Sequence, residues 1–146
     1  MKPYATSIER ASYWEVFKDY YTPQLKKIDL LIKTMEGTIS IEETSQVLLL
    51  SEDYVKKIME AKKITLIDKE GFLSILMDGN SSLCGLLQRE FMLGSPSTYS
   101  PGDIAYIYGL QKEHVENVCQ TNGFTGKISA EVLPKVLDKV FVFVYH

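Results

Sequence analysis

For 146 residues the chain holds little arginine, histidine or cysteine. Arginine occurs twice, at Arg10 and Arg89, so forked guanidinium contacts to phosphate are scarce. The net charge of −3 supplies no basic field in their place. Divided along the chain, residues 1–37 carry +1, residues 38–79 carry −3, residues 80–97 are neutral and residues 98–146 carry −1. The only histidines are His114 and His146, and Cys84 and Cys119 stand far apart. No Cys/His cluster has metal-ligand spacing, so neither a metal nor a cofactor is expected. Both cysteines lie in apolar helical patterns, which predicts buried free thiols. No apolar run nears the roughly 20 residues that span a bilayer, and no membrane partner is expected. The start, MKPYATSIER, lacks the apolar centre of a secretory signal, and a cytoplasmic location is the expectation.

Signs of catalysis are equally sparse. No Ser/His/Asp set and no phosphate-cradling glycine loop can be read. His114 stands alone, without a partner to tune it, and reads as a structural residue. Residues 67–71, IDKEG, lack the alternating oxygen ligands of a calcium loop. No catalytic residue is assigned, and a non-enzymatic protein is expected.

What is present is the makings of a folded chain, 45% hydrophobic and 24% charged. The apolar spacing predicts an all-α protein of about eight short helices, with room for a minor β-hairpin or a C-terminal strand. Three segments are expected: a helical pair over 1–37 and two related modules over 38–97 and 98–146. Thr6 and Glu9 have capping-box spacing and predict a helix running to about Tyr21, with Trp14, Phe17 and Tyr21 on its core face. Thr22-Pro23 starts the second helix, Ile28, Leu31, Ile32 and Met35 line its apolar face, and Gly37 stops it.

Beyond Gly37 the chain reads as a repeat. Residues 38–63 lie over 98–123 at an offset of 60, matching Thr38 with Thr98, Ser40 with Ser100, Leu50 with Leu110 and Val55 with Val115. One inserted residue then aligns Ile67 with Ile128 and Ile75–Leu76 with Val136–Leu137. Ser40 through Glu43 and Ser100 through Asp103 are helix starts, and Ser51 caps a further helix. Residues 64–77 fit either a hairpin or a short strand followed by a helix capped at Asp68. In the second copy Pro134 moves the helix start towards itself. Residues 82–93 predict one more helix, Gly94–Ser97 a loop, and the tail FVFVYH an edge strand or an extended end.

The most informative stretch is IAYIYGLQKEHVENV, residues 104–118. Small Ala105 lets two helices cross closely, and Gly109, four residues on, suits a turn at positive φ. Ile104, Ile107, Leu110, Val115 and Val118 supply the buried wedge. The first copy keeps the frame with Ser45, Leu50, Val55 and Ile58, but Leu49 stands where the turn glycine belongs. This pattern resembles the helix-turn-helix of DNA-binding regulators, and more loosely the excisionase-like and MerR-like subset, over about 20 residues of each copy. The resemblance implies two short helices in each copy, the second entering a major groove by its N-terminal residues.

Those residues are Gln111, Lys112, Glu113, His114, Glu116 and Asn117 in one copy and Ser51, Glu52, Asp53, Lys56 and Lys57 in the other. Acidic groups there oppose a polyanion. If DNA is the partner, Lys56, Lys57, Lys62, Lys63, Gln111, Lys112 and Asn117 are its candidate contacts. Glu52 and Asp53 precede Lys56 and Lys57 by four residues, which predicts ordinary helix salt bridges instead. Tyr99, Tyr106 and Tyr108 are candidates for a protein interface, and core packing explains them equally. The expected function is a regulatory or adaptor protein that binds another protein or itself, with a DNA-binding regulator as the alternative.

Overall fold

Ser12 immediately precedes the first helix, although the Thr6/Glu9 spacing places that start earlier. Its hydroxyl accepts from the Glu15 amide at 3.3 Å, and Ser12-Tyr-Trp-Glu15 is itself a capping-box sequence. The computed structural model describes residues 8–94 and 97–145. Glu9 lies in a strand, β1 (Ile8–Ser12), which corrects the expected helix over that segment; Thr6 lies outside the described residues. Helix α1 (Tyr13–Tyr20) follows, then α2 (Thr22–Thr34), α3 (Ile41–Leu48), α4 (Glu52–Lys62), α5 (Lys69–Asp78) and α6 (Ser82–Met92). The remainder is β2 (Thr98–Tyr99), α7 (Pro101–Tyr108), α8 (Lys112–Thr121), β3 (Ile128–Ser129), α9 (Leu133–Asp138) and β4 (Phe141–Tyr145). The protein is mostly helical, with nine helices and two small two-stranded sheets among the described residues.

The chain forms two compact units. The central unit is Tyr21–Ser95; the terminal unit joins Met1–Tyr20 to Pro96–His146. The expected helical pair over 1–37 is thereby divided, with α1 in the terminal unit and α2 in the central one.

In the central unit, Ser40 caps α3 by accepting from the Glu43 amide at 3.0 Å, and Ser51 caps α4 by accepting from the Tyr54 amide at 3.1 Å. Leu48, Val55, Phe72, Ile75, Leu76 and Leu83 are fully buried at the centre. Each such side chain contributes about 1.5–3 kcal/mol on leaving water. Residues 64–77 resolve as a single bridge position and a helix: Ile67 pairs with Ile39, and Asp68 caps α5 by accepting from the Gly71 amide at 2.7 Å. The Asp68 carboxylate thus serves the helix start. On α2 only Ile28 is buried, while Leu31, Ile32 and Met35 remain partly exposed.

In the terminal unit, Ser100 and Asp103 make a reciprocal capping box at the start of α7. Helix α9 starts at Leu133 with Pro134 in its first turn, where a missing amide costs nothing. The tail becomes β4, antiparallel to β1 from Ile8↔Tyr145 to Ser12↔Phe141. Tyr13 and Phe17 of α1 are buried and meet Tyr108 of α7 edge-on, with ring centroids 5.9 and 5.7 Å away.

The two units carry the same backbone path. Ile39 pairs with Ile67 in one and Tyr99 with Ile128 in the other, positions related by 60 and 61. Leu49 (φ 56°) and Gly109 (φ 67°) are the left-handed C-caps of α3 and α7. The Leu50 amide donates to the Ser45 carbonyl at 3.0 Å, and the Leu110 amide to the Ala105 carbonyl at 2.9 Å. Lys63 (φ 57°) and Gly123 (φ 73°) are again equivalent and left-handed. The Leu49 turn therefore keeps the frame of its glycine counterpart and accepts the strain of positive φ.

Candidate functional site

Each unit presents a pair of short helices joined by three residues, α3 to α4 through 49–51 and α7 to α8 through 109–111. Buried Val55, Ile58 and Met59 of α4 correspond to buried Val115, Val118 and Cys119 of α8. Their outer faces are therefore also equivalent, and an open cleft runs beside each second helix.

The central cleft, about 310 Å³, is lined by Tyr54, Lys57, Ile58 and Ala61 of α4 and by Asp78 of α5. A carboxylate sits in it. Lys62 Nζ lies 3.0 Å from Asp78 Oδ2 and donates to Ser74 Oγ at 3.0 Å. The Tyr54 hydroxyl donates to the Asp78 carbonyl at 3.3 Å.

The terminal cleft, about 250 Å³, places His114, Asn117, Val118 and Thr121 at the corresponding positions of α8. Lys139 stands where the central unit has Asp78, and Asn122 where it has Lys62. The Asn122 amide turns back on its own helix, donating to the Val118 carbonyl at 2.8 Å. Arg10 of β1 and Phe141 of β4 close the far side, with the guanidinium carbon 4.2 Å from the ring centroid. Among the described residues no carboxylate lines this cleft.

The candidate DNA contacts divide between different surfaces. Lys56 and Lys57 are exposed on α4, and among the described residues neither forms the salt bridge expected with Glu52 or Asp53. Lys62 and Lys63 line a separate polar groove of about 460 Å³ with Thr65, Asp68, Glu70 and Ser74. Gln111 is the N-cap of α8 and makes no side-chain cap bond. Lys112 lies 3.9 Å from Glu116, one turn along the same helix, and Asn117 lines the terminal cleft. Of the tyrosines, Tyr106 is exposed, Tyr99 is buried and Tyr108 packs on Tyr13 and Phe17. Tyr99 and Tyr108 are thus packing residues.

Arg10, Lys139 and Phe141 were not legible as site residues. A helix over residues 6–21 puts Arg10 on a helical surface, whereas pairing with the far end of the chain brings it to the cleft. The alternation in FVFVY was the available signal, but its partner strand is about 130 residues away.

Both cysteines are free and buried. Burial raises both thiol pKa values, and for Cys84 the hydrogen bonds with Ser81 only partly offset it. Neither is a ready nucleophile.

No protein-family model matches the chain, and neither a curated protein nor a solved structure matches it. No helix among the described residues is long and apolar enough to cross a membrane.

Proposed function

We propose that this chain is a non-enzymatic regulatory or adaptor protein that binds another protein through its two helix-turn-helix-like modules. The supporting observation is the surface at the end of α6. Phe91, Met92 and Leu93 are consecutive and exposed, at 43%, 75% and 37%. Exposed apolar area gathered at one helix end is surface that a protein contact would cover. The outer face of α8 is unsuited to a polyanion, since Glu113 and Glu116 are exposed and Lys112 is already near Glu116. A second copy of the chain is one partner of this kind.

The test compares the full chain with a Met92→Glu variant, by light scattering across a concentration series and by affinity capture from its own cells. The reading requires a dimer or a captured partner that the variant loses. Equal behaviour of the two proteins contradicts it.

One observation favours a second reading, a DNA-binding regulator in the cytoplasm. Lys56 and Lys57 are adjacent and exposed, and among the described residues neither forms an ion pair. That reading requires a retarded band with duplex DNA whose affinity falls steeply with salt, and weaker binding to every sequence in a Lys56→Glu/Lys57→Glu variant.

A further inference from the structure

We propose that the terminal cleft binds the phosphate group of a small phosphorylated ligand. The inference rests on the cleft's own geometry, independently of the protein-binding reading above. In a chain of net charge −3, this one concavity collects a guanidinium, an ammonium, an imidazole, two carboxamides and a hydroxyl, from Arg10, Lys139, His114, Asn117, Asn122 and Thr121. Among the described residues no ion pair links Arg10, His114 or Lys139 to a carboxylate. Asp138, the chain neighbour of Lys139, accepts from Ser12 Oγ at 2.9 Å and lines a different cleft with Trp14 and Lys18. Glu113 and Glu116, the two acids of α8, do not line the cleft.

The site is also partly fixed before any ligand arrives. Strand register sets Arg10 opposite Phe143 and diagonal to Phe141, and the guanidinium rests over the Phe141 ring. A planar fork held in place loses less freedom when it takes two oxygens of a phosphate. Lys139 follows α9 directly as its C-cap, so its position is tied to a helix end. The equivalent central cleft makes the contrast: Asp78 replaces Lys139 there and holds Lys62 in a salt bridge.

Size and surroundings select the ligand class. A volume of about 250 Å³ is below the roughly 300–1,000 Å³ of pockets that enclose a whole drug-sized molecule, so it suits a phosphate end group. Phe141 and Val118 offer apolar contact for the first atoms of the esterified group. An extended polyanion would run past exposed Glu113 and Glu116, which disfavours a nucleic-acid backbone.

The full chain is titrated with inorganic phosphate, then with adenosine monophosphate, at constant ionic strength. Amide resonances of Asn117, Thr121 and Lys139 and the Arg10 side-chain N–H are followed by NMR. The proposal requires saturable shifts confined to this cleft, tighter for the ester if the apolar margin contributes, and affinity at least tenfold weaker in Arg10→Gln/Lys139→Gln. Arg10→Lys, which keeps the charge and the strand, should retain part of the binding. Absence of saturation, equal shifts at Lys57 and Asp78, unchanged affinity in the double variant, or a response to duplex DNA alone would overturn it.

Discussion

The central and terminal units follow one backbone path with different side chains at two equivalent left-handed positions. The central unit uses Leu49 and Lys63; the terminal unit uses Gly109 and Gly123. A non-glycine residue in that conformation costs roughly 1–2 kcal/mol. The path nevertheless persists, so the residues around each turn fix it. Leu48, Leu50 and Val55 are buried on either side of Leu49, and the Leu50 amide is tied to Ser45. The same tolerance reaches the core. Thr44 and Ile104 are equivalent and both fully buried, the threonine hydroxyl being satisfied by the Ser40 carbonyl at 2.9 Å.

The covering of the first helix differs most between the units, and its removal should have the largest effect. Leu48 and Tyr108 are equivalent. The Leu48 carbonyl receives the Ser81 hydroxyl at 2.7 Å and the Cys84 thiol at 3.7 Å, at the start of α6. Tyr108 is instead covered by the rings of α1. Phe17→Ala should therefore cost about 3–5 kcal/mol and Leu48→Ala about 2–5 kcal/mol in denaturant unfolding. Hydrogen exchange should show the first change loosening α7 and the second loosening α3. Faster exchange in α3 on Phe17→Ala would break the distinction.

Exchanging the turn residues sharpens the comparison at an intermediate scale. Gly109→Leu should destabilise by roughly 1–2 kcal/mol, while Leu49→Gly should be neutral or gain up to about 1 kcal/mol, because relief of strain competes with a more flexible unfolded chain. Thermal denaturation reads both signs. A Leu49→Gly loss as large as that of Gly109→Leu would mean that the leucine side chain, 44% exposed, contributes more than its turn costs.

Smaller effects belong to the polar groups. The Lys62–Asp78 pair, with side chains 35% and 46% exposed, is largely screened, and Lys62→Met should change stability by less than about 1 kcal/mol. The smallest expected effect is at Glu90, whose pKa is raised by burial. The folded chain holds that proton more tightly than the unfolded one. The resulting stabilisation is full below the ordinary carboxylate range and is lost as pH rises through the raised folded value. Glu90→Gln should then be slightly stabilising at neutral pH, with the gain vanishing in acid. A gain that persists unchanged in acid would assign it to another cause.

Much of this architecture was legible, because its signals are local. The Ser40, Ser51 and Asp68 caps, the Pro134 start and the left-handed Gly109 all act within four residues of themselves. The repeat was legible because Val55/Val115 and Ile58/Val118 keep the period of one helix face. The first strand was not, since Ile8–Ser12 becomes a strand only by pairing with Phe141–Tyr145. The same long-range step hid the terminal cleft, which needs Arg10 beside Phe141. Tyr99 and Tyr108 were ambiguous because a tyrosine at an interface and one in a core share the same spacing.

The central claim is that residues 41–62 and 101–121 fold as two equivalent bent helix pairs. Backbone couplings at Leu49 and Gly109, with cross-strand proton contacts for Ile39–Ile67 and Tyr99–Ile128, test it most directly by NMR. The account predicts positive φ at both turn residues and contacts at both pairs. Helical couplings running unbroken through Leu49, making 41–62 one continuous helix, would contradict it.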